Sequence, residues 1–175
     1  MASIQATVPD NKSFLSPIGF RFSMKRLPHV NYFCTSASIP SMALGSIDTF
    51  DTPFIKVPVP GDKLTFSPFT IRFRIDEDMK NYQEIYDWME ALGYPDRFEQ
   101  RRAIQRSTTS IGDVYSDASL MIMTNQYKPN IEVKFVDMYP IDLSSVDFSV
   151  EESDVTYLQA DATFVYRKYD LITVT

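Results

Sequence analysis

The sequence predicts a mainly β protein, an antiparallel β-sandwich or barrel with one flanking α-helix. Three observations predict it. Apolar and polar residues alternate with period two in separate stretches, most cleanly over residues 20–25, 69–75 and 158–167. One stretch alone, residues 79–92, changes to the three-and-four spacing of an amphipathic helix. The chain has 175 residues, 44% apolar and 23% charged, which suits one folded domain with a core of its own. No apolar run reaches the roughly 20 residues a membrane helix requires, and MASIQATVPDNKS lacks the charged and apolar regions of a secretory leader.

Residues 1–13 are polar and read as a flexible amino-terminal segment ahead of a single domain, 14–175. Phe20, Phe22 and Met24 alternate with Arg21, Ser23 and Lys25, which gives a first strand with one buried face. A second strand over residues 32–38 ends before Pro40, because proline removes a ladder donor. Residues 40–68 then hold five of the eleven prolines, at 40, 53, 58, 60 and 68. Such a stretch cannot be a central strand and is expected to be an edge, a projecting arm or a loop. It is nevertheless apolar, with Phe54, Ile55, Val57, Val59, Leu64 and Phe66 on either side of a turn read at Pro60-Gly61-Asp62. Two destinations stay open for it: the chain's own core, or a neighbouring subunit, which is preferred because so much exposed apolar surface is unusual in a monomer.

Phe69, Ile71, Phe73 and Ile75 face inward against Thr70, Arg72 and Arg74. The helix follows, with Met79, Tyr82, Ile85, Tyr86, Met89 and Leu92 as its apolar stripe and Trp88 as core. Asp76, Glu77 and Asp78 complement the dipole at its start, and Gly93 with Pro95 stops it. Residues 93–117 read as an insertion. Arg97, Arg101, Arg102 and Arg106 form two i, i+4 pairs there, either a polar contact stripe for phosphate or an acidic neighbour, or a solvated face interleaved with Asp96 and Glu99. Strands resume over 118–124 and 131–138, the second expected to break at Tyr139-Pro140. A short strand over 146–150 and an acidic turn over 151–154 lead to a long central strand, 158–167.

The inventory of reactive groups is small. One cysteine, Cys34, permits no internal disulfide and no cysteine zinc cluster. The one histidine, His29, reads as a loop residue beside Pro28, so a histidine triad or histidine-rich metal site has nothing to build on. The five glycines are too scattered for a phosphate loop. Asp76-Glu77-Asp78 fails as a calcium loop because Lys80 occupies the third ligand position. No enzyme, metal or cofactor is expected. A net charge of −6 disfavours binding to DNA phosphates and to anionic membranes. The 24 aromatic residues keep a carbohydrate-binding β-sandwich module as an alternative.

Several segments occur in a telling order: Cys34 ahead of Ile39-Pro40, the stretch from Val57-Pro58-Val59-Pro60 to Leu64-Thr65-Phe66, Phe69-Thr70-Ile71, the Asp-rich helix start with Tyr86-Asp87-Trp88, and Met138-Tyr139-Pro140-Ile141 ahead of the final alternating strand. In that order they resemble the tail tube proteins of contractile-tailed bacteriophages, over residues 18–92 and 118–169. The resemblance implies a subunit of hexameric rings stacked into a hollow tube, a structural role in the virion's tail after assembly in the host cytoplasm. It implies as partners further copies of the chain, the sheath protein, baseplate and tail-terminator proteins, and DNA that passes without specific binding. It makes residues 40–68 the arm between rings and places Glu132, Gln159 and Asp161 near the lumen. A tube-initiating baseplate protein or a secretion-system tube-like protein stays open beside it, because residues 93–117 and the amino-terminal dozen depart from the family pattern.

Overall fold

The structure, a computed structural model, describes residues 12–51, 56–93, 99, 114–150 and 156–174. The first half of the chain forms β1 (Phe20–Met24), α1 (Pro28–Phe33), β2 (Cys34–Ala37), β3 (Met42–Asp51), β4 (Lys56–Phe66) and β5 (Phe69–Arg74). The second half forms α2 (Lys80–Gly93), β6 (Ser116–Met123), β7 (Pro129–Leu143), β8 (Gln159–Val165) and β9 (Lys168–Thr173). All pairings are antiparallel. The layers are β1-β6-β7-β9 and β7-β8-β5-β2, and β3 with β4 forms a separate ribbon. The expected mainly β architecture is therefore present, with two helices among the described residues rather than one.

The core lies between the layers. Phe22, Leu120, Val133 and Phe135 of the first layer meet Phe69, Ile71, Ala162 and Phe164 of the second, all essentially buried. Phe69 bridges them, its ring centroid 4.5 Å from Phe135 and 5.8 Å from Phe22. The alternation read at β1, β5 and β8 produces this directly, since every second side chain of a strand shares a face. β8 is central, between β5 and β7, as its proline-free run predicts.

β7 belongs to both layers. Residues 131–136 pair with β9 and residues 139–143 with β8. The change of layer occurs at Asp137, whose φ of 55° is in the left-handed region that aspartate tolerates better than most residues. The register against β6 slips there, Asp117 of β6 facing both Val136 and Asp137 of β7 between Ala118↔Phe135 and Ser116↔Met138. Side chains hold the bulge: the Asp137 N–H donates to Asp117 Oδ1 at 3.2 Å, and Arg167 Nε meets Asp137 Oδ2 at 3.1 Å. β7 thus runs on through Tyr139-Pro140, where the sequence suggests a break. Beyond Met138 it has left β6 and β9 and, among the described residues, pairs with β8 alone, so Pro140 occupies an edge.

Other expectations are corrected nearby. The second strand covers only Cys34–Ala37, because Pro28–Phe33 form a short helix with proline in its first turn, which places His29 on α1. Asn31 secures this reversal, its Oδ1 accepting from Met24 N–H at 2.9 Å and its Nδ2 donating to Met24 O at 2.8 Å. Residues 146–150 form no strand, and Phe148 and Val150 are exposed. The acidic turn at 151–154 lies outside the described residues, while β9 is an addition to the predicted set.

α2 is described over Lys80–Gly93 and buries Ile85, Trp88 and Ala91, while Pro95 lies outside the described residues. Tyr86, counted in its apolar stripe, is half exposed. Trp88 is core: its ring packs 6.4 Å from Phe164, its indole N–H donates to Val114 O, and the Arg26 guanidinium lies over it. The start of α2 is fastened by fully buried Asn81. Its Nδ2 donates to Arg74 O at 2.7 Å, and its Oδ1 accepts from the N–H groups of Asp76 and Tyr82. Asp78 instead pairs with Lys80. Replacing Asn81 with alanine leaves a buried carbonyl and two N–H groups without this partner. Urea unfolding of Asn81→Ala is expected to show a loss of about 2–3 kcal/mol, whereas an unchanged midpoint would deny the side chain this role.

Candidate assembly surface

The β3–β4 ribbon stands away from the core. Its ladder runs from Met42↔Phe66 to Asp51↔Lys56, so the arm is better paired than its prolines suggest. Pro60-Gly61-Asp62 is no turn. It lies within β4, where the register slips between Leu44↔Leu64 and Ser46↔Pro60. A two-stranded ribbon has one ladder only, which leaves a free side for prolines. Gly61 is required at the slip: a Cβ there would stand 2.7 Å from Gly45 O.

Cross-strand neighbours on the arm are apolar: Met42 with Phe66, Leu44 with Leu64, and Ile47 with Val59. Met42, Leu44, Ile47, Val59 and Leu64 are between 41% and 59% exposed. These five side chains are therefore not folded over the chain's own core. Of the predicted arm residues, Val59 and Leu64 are among these exposed pairs, and Phe66 packs at the arm's base. Val57 lies in β4 opposite Phe50, whereas Phe54 and Ile55 lie outside the described residues.

The layers also have unfinished margins. β1 and β9 bound the first layer and β2 bounds the second, each paired on one side among the described residues. Leu171 of β9 faces the core side, opposite Val133, yet is 63% exposed, so the apolar interior continues to the surface there. A hollow of about 480 Å³ between the margins of β1 and β2 is lined by Phe20, Phe22, Tyr32 and Cys34 among others.

The three lumen candidates are not brought together. Glu132 points outward from the first layer, at the register of Met121 and Ile172. Gln159 and Asp161 point outward from the second, opposite Arg74 and Arg72. Arg72 grips Asp161 with Nε at 2.7 Å and Nη2 at 2.9 Å. This bidentate hydrogen bonding holds the Asp161 carboxyl below the usual carboxylate range. Neither outward face is uniformly acidic among the described residues, since Arg21 and Lys134 share the first with Glu132, and Arg74 shares the second. Arg97, Arg101, Arg102 and Arg106 lie outside the described residues. His29 ties the helices together, its Nδ1 2.5 Å from Glu84 Oε1. Burial pushes the Cys34 thiol up to about 11, which keeps it protonated and unreactive at neutral pH. No cluster of three metal-ligating side chains occurs among the described residues.

Comparison with known proteins gives this surface its context. A tail tube terminator protein of Enterobacteria phage T4 is 27% identical over 142 residues, 78% of this chain and 74% of that protein. A chain from the tube-terminating cap of the anti-feeding prophage has the same fold, with a TM-score of 0.65, 14% identity, and coverage of 99% of this chain and 100% of that one. A chain from the sheath/tube terminator of an extracellular contractile injection system, PVC, gives 0.61 at 16% identity, covering 93% and 99%. The protein is thus a structural component of contractile tails and injection systems. It belongs to the phage tail tube protein family, whose sequence pattern matches residues 3–172.

Two outcomes are expected at this surface. Gly61→Ala should loosen the arm, seen as faster amide exchange in β3 and β4, while the melting of the sandwich stays unchanged. The lowered Asp161 value stabilises the fold above the unfolded carboxylate pKa of about 3.9, and that contribution is lost as pH falls through the folded value. The stability difference between wild type and Asp161→Asn should therefore shrink between pH 7 and pH 3 in urea titrations. A constant difference would remove the ion pair from the acid response.

Proposed function

We propose that the protein forms a hexameric ring at the end of a contractile phage tail tube, as its terminator. The observation that carries this reading is the similarity to the phage T4 tube terminator through most of both chains. The geometry supports it. Subunits with free margins at β1, β2 and β9 can close side by side into a ring, and closure removes the exposed edges. The apolar arm then reaches a neighbouring ring, and the sheath and further tail proteins are the expected partners. A net charge of −6 lets DNA pass without the counterion release that would hold it. Glu132, Gln159 and Asp161 are the lumen candidates, and the arginines at 97, 101, 102 and 106 the candidate polar contact.

A second reading, the repeating subunit of the tube itself, is favoured by the family's description and by the long arm, which suits ring-on-ring stacking. Electron microscopy of tail particles with a gold-labelled tag on this chain separates the readings. Label confined to the tube end opposite the baseplate is the expected result. Label along the whole tube supports the repeating subunit, label at the baseplate end supports a tube initiator, and particles without label overturn all three.

Paired substitution of Leu44 and Leu64 by aspartate tests the arm. Both side chains are exposed in the isolated chain, so its circular dichroism melt should remain within a few degrees of wild type. An unpaired charge buried at an interface costs several kcal/mol, so stacking onto tubes should fall more than tenfold by sedimentation. Unimpaired stacking would remove the arm from the interface. Phe66 is unsuitable for this purpose because its ring also packs against the body.

A further inference from the structure

The arm joins the body through two short segments, Pro40-Ser41 and Ser67-Pro68. They are tied to each other, Ser67 N–H donating to Ser41 O at 3.0 Å and the two hydroxyls meeting at 2.6 Å. Each is also tied to the body by a tyrosine. The Tyr166 hydroxyl donates to Ser67 O at 2.8 Å, and the Tyr169 hydroxyl donates to Pro40 O at 3.3 Å. Phe66 sits in the socket these tyrosines make, with ring centroids 6.0 Å from Tyr166 and 5.4 Å from Tyr169. Phe135 closes the floor, 5.1 Å and 5.9 Å from the same two rings. The tyrosines flank the turn between β8 and β9, which is held to β7 by the Arg167 N–H on Val136 O. The socket is therefore built on the rigid part of the sandwich.

We propose that Tyr166 and Tyr169 are positioning residues that set the direction in which the arm leaves the body, and through it the fit of the arm to a second copy of the chain. The role in assembly rests on the reading that the arm meets a neighbouring subunit. The mechanical argument rests on geometry alone. Strands of 10 and 11 residues make a ribbon of about 35 Å at about 3.3 Å per residue, and its extensive contacts are internal. A swing of about 10° at the base of such a lever moves the tip by about 6 Å, more than the spacing of adjacent strands. One hydrogen bond to the entering segment and one to the leaving segment oppose both hinging and twisting, which a single tether would not. Burial raises the Tyr166 hydroxyl to about 12, so it stays a proton donor at neutral and mildly alkaline pH.

Tyr166→Phe combined with Tyr169→Phe tests this, since it keeps the rings and removes both hydroxyls. Spin labels at Ile47→Cys on the arm and Tyr127→Cys on the β6–β7 turn, in a Cys34→Ser background, report the arm's direction in the isolated chain. The double variant is expected to broaden the distance distribution at least twofold, to speed Ser67 amide exchange about tenfold, and to lower incorporation into tubes by a similar factor. An unchanged distance distribution overturns the positioning role. A broadened distribution with full incorporation supports the positioning role and overturns the arm–neighbour reading, so the two failures are distinct. If the double variant does not fold, Tyr169→Phe alone, which removes the longer bond, is read in the same way.

Discussion

The bulge at Asp137 is the constraint on which the rest of the structure depends. A single strand crosses from one layer to the other there, and that crossing sets the layers face to face with Phe69 against Phe135. It also fixes where β8 and β9 can pair, and so where the turn between them places Tyr166 and Tyr169. A left-handed residue in a strand is costly unless its surroundings over-determine it. Here Asp117 and Arg167 do so from two sides. The position of the arm is thus a remote consequence of a local backbone irregularity.

The described surface divides its tasks between backbone and side chains. The margins of β1, β2 and β9 offer backbone groups and suit lateral partners of the same kind. The arm offers apolar side chains in cross-strand pairs and suits a shaped recess. The body between them is closed by ordinary means: α2 places Trp88 on Phe164, and Asn81 satisfies the chain end that β5 leaves open.

Much of this was legible in the sequence where a pattern reports burial directly. β5 and β8 alternate without interruption, and both are strands buried on one face. α2 was legible for the same reason at a different period. What escaped depends on neighbours distant in sequence. Pro140 reads as a stop until it is known that β7 has lost two partners by that point. Pro60-Gly61-Asp62 has the composition of a turn, and a bulge uses the same residues for the same conformational reasons. β9 escaped because Leu171 and Ile172 are adjacent and both apolar, which erases the alternation that marks a strand. α1, with six residues, is too short to show a period. The arm's existence was visible in its prolines, whereas the socket at its base was not, because Tyr166 and Tyr169 come about a hundred residues later. The family resemblance was carried by motif order. The similarity to a tube terminator extends over 142 residues, 78% of the chain.

The prolines of β4 have a consequence for how such a protein survives before it assembles. Pro58 and Pro60 carry no amide hydrogen, and prolines inside strands take positions where that hydrogen would face outward. A foreign strand laid along the β4 side of the ribbon would find donors missing at Pro58 and Pro60, which weakens pairing there. On that flank the greasy lever is a poor template for fibrous clumping, although its apolar pairs stand in the open.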